Sequence, residues 1–278
     1  MGMVANLAFV VVEAGYGLFA HSTALLADAG HNLSDVLGLG LAGGAAWLAS
    51  LAGGDHRTYG YGKATVLAAL ANALLLVFAC GAIVREAVVR FAEPQAVTPG
   101  PIMVVAAVGV AINFGTALLF AAGRKHDINV RGAFLHMVGD AAVSAGVIVA
   151  GALILLTGKT WIDPLTSLLI VVVIAWSTWG LLRDGLNMAL DAAPAHIDIG
   201  DVRDLLLRQP GVEEVHDLHV WHLSTTEAAL TAHLVRPAGV DCDFLAAAES
   251  ALHHRFGIEH VTLQVEPAPC ASRHELHP

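Results

Sequence analysis

Cysteine is scarce in this chain of 278 residues: Cys80, Cys242 and Cys270 are the only three, too scattered for a C-x-x-C cluster or a disulfide framework. Cysteine-ligated zinc and a cross-linked secreted scaffold are therefore both excluded, and any part of the chain outside a membrane is expected to face a reducing compartment. Charge is scarce as well. Only 14% of the residues are Asp, Glu, Lys or Arg, whereas an ordinary soluble domain carries about 25%. Basic residues are rarest late in the chain, where residues 184–278 hold five against fifteen acidic ones, while residues 1–183 hold nine of each. The whole net charge of −10 thus belongs to the tail, which excludes nucleic acid as a partner. The first apolar stretch lacks the basic n-region and small-residue cleavage site of a signal peptide and is read as a retained helix.

Hydrophobicity is what the chain has in excess: 56% of residues are apolar and the mean hydropathy is +0.67. Crossing ~30 Å of hydrocarbon takes about 20 mostly apolar residues per helix. Six stretches qualify, near residues 3–20, 24–51, 64–84, 100–122, 131–157 and 162–183. An even number of spans puts both termini on one side. Arg57 and Lys63 in one connection, with Arg124, Lys125 and Arg131 in another, outweigh Lys159, although Arg85 and Arg90 dilute the bias. The positive-inside rule then assigns termini and tail to the cytoplasm.

After Pro194 the pattern becomes that of a small α/β domain. A helix is expected near 199–208, strands over 212–223, 227–236 and 260–265, and a second helix near 242–256, with Ser224, Thr225 and Thr226 as the hairpin turn. Val261, Leu263 and Val265 alternate with Thr262, Gln264 and Glu266, which predicts one buried and one wet face. The α-β-β-α-β order implies an open-faced sandwich. Ten of the fifteen histidines lie in this tail, so its acidic surface would concentrate cations. His222, beside Trp221, is read as lying on the solvent face, and His253, His254, His274 and His277 as surface residues with adventitious metal affinity.

Two pairs of ionisable residues share one spacing inside the apolar stretches: His31 and Asp35 in the second, His136 and Asp140 in the fifth. Residues four apart on a helix lie one turn above each other on one face. Two such helices facing each other supply two imidazole nitrogens and two carboxylate oxygens, a set suited to a tetrahedral borderline cation, with Zn²⁺ first and Co²⁺, Fe²⁺, Mn²⁺ or Cd²⁺ behind it. One pair could be a hydrogen bond within a helix; two identical pairs in separate spans argue for function, because such groups are expensive in a bilayer. Asp28, one turn before His31, is read as a carboxylate that orients that ring or helps hydrate the site. Asn6, Glu13, Asn72 and Asn113 are read as interhelical bonds or the lining of a wet path. Gly38, Gly40, Gly43, Gly44, Gly146 and Gly151 are read as points of close helix approach. Asp163, before Pro164, is read as a favourable charge at its own helix N-terminus.

Four segments together resemble the cation diffusion facilitators, and within them the zinc-transporting group. They are Ser22-Thr-Ala-Leu-Leu-Ala-Asp-Ala-Gly-His-Asn-Leu-Ser-Asp35, Tyr59-Gly-Tyr-Gly-Lys63, Asn129-Val-Arg-Gly-Ala-Phe-Leu-His-Met-Val-Gly-Asp140 and Val215-His-Asp-Leu-His-Val-Trp221. The resemblance covers nearly the whole chain. It implies a six-helix transmembrane transport domain over residues 1–190 and a ferredoxin-like cytoplasmic metal-binding and dimerisation domain over residues 191–278. It further implies a homodimer in the plasma (inner) membrane that exports a divalent metal in exchange for protons. The family's transport site falls on His31, Asp35, His136 and Asp140. Its cytoplasmic zinc ligands fall on His216 and His233, and Gln264 stands where a histidine is common, which leaves Glu266 as the carboxylate. Zn²⁺ is thereby expected both as cargo and as a regulatory ligand. Tyr61 and Thr65 depart from the family pattern in the loop between spans two and three, so no loop site using Asp55 and His56 is expected.

Two other readings compete. An intramembrane zinc enzyme would also place His and Asp on facing helices, but no H-E-x-x-H is present and four protein ligands close the position catalysis needs. A membrane-anchored metal sensor leaves the duplicated pair without a purpose.

Overall fold

A computed structural model describes residues 2–93, 95–121 and 128–268, with side chains omitted for 2–6 and 128–133. Asn6, Arg124, Lys125, Arg131, Cys270, His274 and His277 fall outside the described side chains. Six long helices come first: α1 (Gly2–Phe19), α2 (Thr23–Ala49), α3 (Lys63–Ala92), α4 (Pro99–Phe120), α5 (Ile128–Thr157) and α6 (Ile162–Ala189). The order then runs α7 (Ile199–Leu207), β1 (Glu214–His222), β2 (Ala228–Val235), α8 (Cys242–Phe256) and β3 (Ile258–Glu266). By their contacts these elements form two units, one of Met1–Leu41 with Ala71–Leu181 and one of Ala42–Leu70 with Leu182–Pro278.

Among the described residues, α3, α4, Phe134–Thr157 of α5 and α6 are long and apolar enough to cross a membrane. The described side chains of α1 supply only the shorter apolar run Leu7–Phe19, and α2 is interrupted by Asp28, His31, Asn32, Ser34 and Asp35. Outward faces carry large apolar side chains, with Trp176 86% and Leu156 82% exposed. Such a surface suits lipid and not water. Two helices outrun the apolar windows that announced them: α3 continues past residue 84 to Ala92 and α6 past 183 to Ala189. Hydropathy marks where lipid ends, and a helix can continue through charged turns, as at Arg90, whose Nε donates to Glu86 Oε1 at 3.0 Å.

The first unit packs Phe9, Leu25, Leu76, Ile102, Val147 and Ile170 into its core. Helix α1 closes at His21, in a left-handed conformation (φ 52°), whose carbonyl accepts from Arg90 Nη1 at 2.8 Å. The start of α2 is then capped from a distance. Asp163, in the first turn of α6, accepts at Oδ1 from Ser22 Oγ (2.5 Å) and Ala24 N (3.4 Å), and at Oδ2 from Thr23 N (2.6 Å) and Thr23 Oγ1 (2.7 Å). Its charge therefore serves the N-terminus of another helix as well as its own. Of the glycines on α2 and α5, Gly38 and Gly151 stand where a Cβ would collide, with Asn72 Oδ1 at 2.6 Å and Met103 Cγ at 2.7 Å; Gly40, Gly43, Gly44 and Gly146 face open space.

In the second unit the sheet order is β1-β2-β3, antiparallel then parallel. Asp198 caps α7 by accepting from Gly200 N and Asp201 N, Asp241 caps α8 by accepting from Phe244 N, and Gly257 ends α8 at φ 68°. Ser224 Oγ accepts from the backbone of Thr226 and Glu227, forming the expected turn. Helices α7 and α8 cover one sheet face, where Val202, Leu206, Leu230, Leu234 and Leu252 are buried. Lys63 Nζ donates to Asp191 Oδ1 (2.5 Å) and Met188 O (3.2 Å), and Thr225 N donates to Thr65 Oγ1 (3.0 Å).

A bulge in β1 corrects the reading of His222. His216 pairs with His233 and His219 with Thr231, so three steps on β1 oppose two on β2. His216 and His219, which a regular strand would point to opposite faces, share the uncovered face. The same shift sends His222 to the covered face, where it is buried, not solvent-exposed. Glu266, assigned by alternation to a wet face, is also buried, against His216 and His233.

Candidate metal centre

Helices α2 and α5 bring the two intramembrane pairs together. His31 Nε2 lies 3.7 Å from Asp35 Oδ2 and 3.3 Å from Asp140 Oδ1; His136 Nε2 lies 3.3 Å from Asp35 Oδ2 and 3.6 Å from Asp140 Oδ2. Imidazole nitrogens and carboxylates alternate around the site in four contacts of 3.3 to 3.7 Å, Asp35 meeting both histidines through Oδ2 and Asp140 meeting them through its two different oxygens. A tetrahedral zinc with N and O ligands at 2.0–2.2 Å has neighbouring ligand atoms roughly 3.3–3.6 Å apart. The four contacts therefore have the length of ligand edges, but one ligand atom each from His31, Asp35 and Asp140 lies within a common 4.8 Å while His136 falls outside that grouping, so the four residues surround a site wider than a closed tetrahedron. The two imidazoles meet edge to face, centroids 6.0 Å apart at 80°, and both present Nε2 to the aspartates.

Exposure is graded across this set: the side chain of Asp140 is 5% exposed and that of His136 45%. The site opens into a cavity of about 290 Å³ lined by Asn72, Val173, Ser177 and Thr178 besides the four groups. Asn72 Oδ1 and His31 Nδ1 are buried without a hydrogen-bond partner. Asp28 does not orient His31 through a hydrogen bond: its Oδ2 accepts from Ser144 Oγ at 2.6 Å, and its Oδ1 has no partner. Glu13 and Asn113 are both buried, and Glu13 Oε2 accepts from Asn32 Nδ2 at 3.0 Å.

A second cluster lies on the uncovered sheet face. His216 Nε2 is 3.5 Å from Glu266 Oε2, and His233 Nδ1 is 3.2 Å from Glu266 Oε1, with the two rings 5.2 Å apart. One ligand atom from each of the three residues fits within a common 4.8 Å, and His216 Nε2 is buried without a hydrogen bond. Such a donor set fits a cation that takes nitrogen and carboxylate oxygen. Asp217, which sequence reasoning missed, sits at the bulge with φ 49°, its Oδ1 2.9 Å from His219 Nε2 and its Oδ2 3.6 Å from His233 Nε2. Only the three-residue spacing of His216 and His219 hinted at it. Gln264 Nε2 donates to Glu266 Oε1 at 2.9 Å.

The remaining candidates sit apart. Asp55 and His56 are exposed, and Arg57 stacks over Tyr61 at 4.9 Å. His253 and His254 are exposed, His253 facing Glu259 at 3.7 Å. His222 is held below its usual 6.5 by burial first, with His196 and Lys63 adding to the effect.

Comparison with known proteins places this geometry in context. A family model described as the cation efflux transmembrane domain matches residues 1–188, and one for the cation efflux protein cytoplasmic domain matches residues 194–268. The metal cation efflux system protein CzcD of Cupriavidus metallidurans is 36% identical over 264 residues, 94% of this chain and 84% of its own length. The zinc transporter ZitB of Escherichia coli is 36% identical over 265 residues, covering 94% and 84%. A cadmium, cobalt and zinc/H(+)-K(+) antiporter of Bacillus subtilis is 32% identical over 264 residues, covering 93% and 85%.

Proposed function

We propose, from the premise that this chain belongs to the cation efflux family of membrane transporters and is not an enzyme, that it exports Zn²⁺ in exchange for protons. His31, Asp35, His136 and Asp140 bind the ion in transit. The observation that carries the assignment is the convergence of two histidines and two aspartates from α2 and α5, with four nitrogen–oxygen contacts of 3.3–3.7 Å. Two imidazoles beside two carboxylates favour Zn²⁺, with Co²⁺, Cd²⁺, Fe²⁺ and Mn²⁺ as poorer cargo. The names of the relatives, which cite zinc, cadmium and cobalt as cargo and H⁺ together with K⁺ as counter-ions, support zinc as cargo and H⁺ as a counter-ion.

Exchange follows from the chemistry of the ligands. Zinc binds neutral imidazole and ionised carboxylate, so protons and metal compete for the same groups. When the site opens to a more acidic side, protonation of a histidine weakens the set and releases the ion. Two buried carboxylates without metal are costly, so the empty site returns protonated. Ser177 and Thr178 on α6 and Asn72 on α3 offer polar groups along the cavity wall that leads to the site.

All six long helices span the membrane in this reading, α1 and α2 completing the bundle with the four strongly apolar ones. Residues 1–190 form the transport domain. Residues 191–278 form a ferredoxin-like cytoplasmic domain that pairs two copies of the chain, and His216, His233 and Glu266 hold a regulatory Zn²⁺ there. Both termini lie in the cytoplasm and the membrane is the plasma (inner) membrane.

Reconstitution tests this directly. Vesicles containing the protein should take up Zn²⁺ faster when their lumen is acidic, and Cd²⁺, Co²⁺ and Mn²⁺ more slowly. Uptake indifferent to the pH gradient would remove antiport; wild-type uptake by Asp140→Ala would remove the site.

A further inference from the structure

Beside the four metal ligands, the bundle buries a second pair of acids. Glu13 of α1 and Asp28 of α2 are both 0% exposed. Asn32 donates to Glu13 Oε2 at 3.0 Å, and Asp28 lies four residues before Asn32 on the same face of α2. Through Asn32 the two carboxyl groups are thus neighbours that act on each other electrostatically. Ser144 of α5 donates to Asp28 Oδ2 at 2.6 Å. Each carboxyl therefore has one oxygen satisfied by a neutral donor, and each has one oxygen left without a partner, Glu13 Oε1 and Asp28 Oδ1.

Among the described residues no lysine or arginine pairs with either carboxyl, and His31 is the one basic group acting on Asp28. Helix α4, which packs on α1, contains no ionisable residue. The titratable groups near Asp28, apart from Glu13, are His31 on its own helix and Asp140 on α5. The pair accepts hydrogen bonds from Asn32 and Ser144, not from any of the four metal ligands. Two ionised carboxylates side by side in a water-poor interior cannot both persist, and one proton between them removes the repulsion while filling both open oxygens.

We infer that Glu13 and Asp28 form an acid–carboxylate pair that carries one exchangeable proton through the transport cycle, at a place separate from the metal. The inference rests on the antiport reading but adds to it a proton held outside the ligand set. The attachment points suit that role: Asp28 lies one turn before the ligand His31, and Ser144 one turn after the ligand Asp140. A movement of α2 against α5 that opens the metal site to the other side also strains the Ser144–Asp28 bond, which joins those two helices. Proton affinity and metal access are then coupled mechanically, without the proton having to displace the ion.

Glu13→Gln tests this in the full-length protein, because glutamine keeps the shape and the acceptor for Asn32 but has no acid proton. In proteoliposomes with a zinc dye outside and a pH dye inside, wild type should lose protons from an acidic lumen as Zn²⁺ enters. The variant should bind Zn²⁺ with unchanged affinity, yet move fewer protons per ion and lose acceleration by the gradient. Wild-type proton yield in Glu13→Gln overturns the inference. Infrared spectroscopy supplies an independent arm: wild type at neutral pH should show the C=O stretch of a neutral carboxylic acid, which Glu13→Gln abolishes. If Glu13→Gln does not insert, Asp28→Asn should shift that band; a band unchanged in the inserted variant, or absent in wild type, overturns the pair. A wild type that shows the band but exchanges no protons would instead remove antiport, and with it the pair's role in transport.

Discussion

Asp163 binds Thr23, 140 residues earlier in the chain, through both the backbone N–H and the side-chain hydroxyl, at 2.6 and 2.7 Å. Its other oxygen accepts from Ser22 Oγ and Ala24 N. All four contacts need an acceptor, and an amide has only one oxygen. Asp163→Asn should therefore be about as damaging as Asp163→Ala, each costing on the order of 3 kcal/mol from the loss of buried charge-assisted bonds. Thermal unfolding in detergent checks this, and an asparagine variant as stable as wild type would show that the cap is not needed.

At the metal centre, His31→Ala should abolish zinc uptake, since it removes one of four ligands. His31→Asp should keep a four-ligand set but change its taste: a third carboxylate hardens and enlarges the site, shifting preference from Zn²⁺ toward Cd²⁺ or Mn²⁺. Competition between metals in vesicles measures this, with an unchanged ranking as the contrary result. Folding should survive both changes, because the site lines a cavity and contributes little to the packed core.

The helical architecture was largely legible in the residues because hydropathy and helix caps are local signals; α8, for example, lies where Asp241 and Gly257 delimit it. The i, i+4 spacing likewise put each histidine beside its aspartate, and two such pairs have little reason to lie apart in lipid. Three features were illegible. The cap on α2 comes from a residue far along the chain, and no local pattern encodes which helices meet. The extra residue in β1 defeats any count by twos, so His222 lies on the face opposite to the one read for it. Glu266 lies at the end of an alternating strand and is buried because two histidines cover it, a long-range fact.

The tail should respond to zinc. A segment from Pro194 to Pro278 is expected to be soluble and to gain stability on adding Zn²⁺, by about 2.7 kcal/mol when the free ion is 100 times the dissociation constant. His216→Ala combined with His233→Ala should remove most of that gain. If the double variant is stabilised as much as wild type, surface histidines such as His253 and His254 are the binders and the buried cluster is not.

His222 makes the same domain sensitive to acid. Burial on the apolar sheet face, with His196 and Lys63 nearby, holds its imidazole below the usual 6.5. The unfolded chain then takes up a proton at a pH where the folded chain does not, so the unfolded state gains as pH falls. The contribution of neutral His222 is complete above pH 6.5 and declines as pH drops from there through its folded value, at a rate of at most about 1.4 kcal/mol per pH unit. His222→Gln keeps a neutral polar group of similar reach and has no proton to gain. Its chemical-denaturation stability should therefore be flatter than wild type between pH 6.5 and about pH 5, below which carboxylates dominate both proteins. Parallel curves for the two would mean that His222 titrates alike in both states and that its burial leaves no mark on stability.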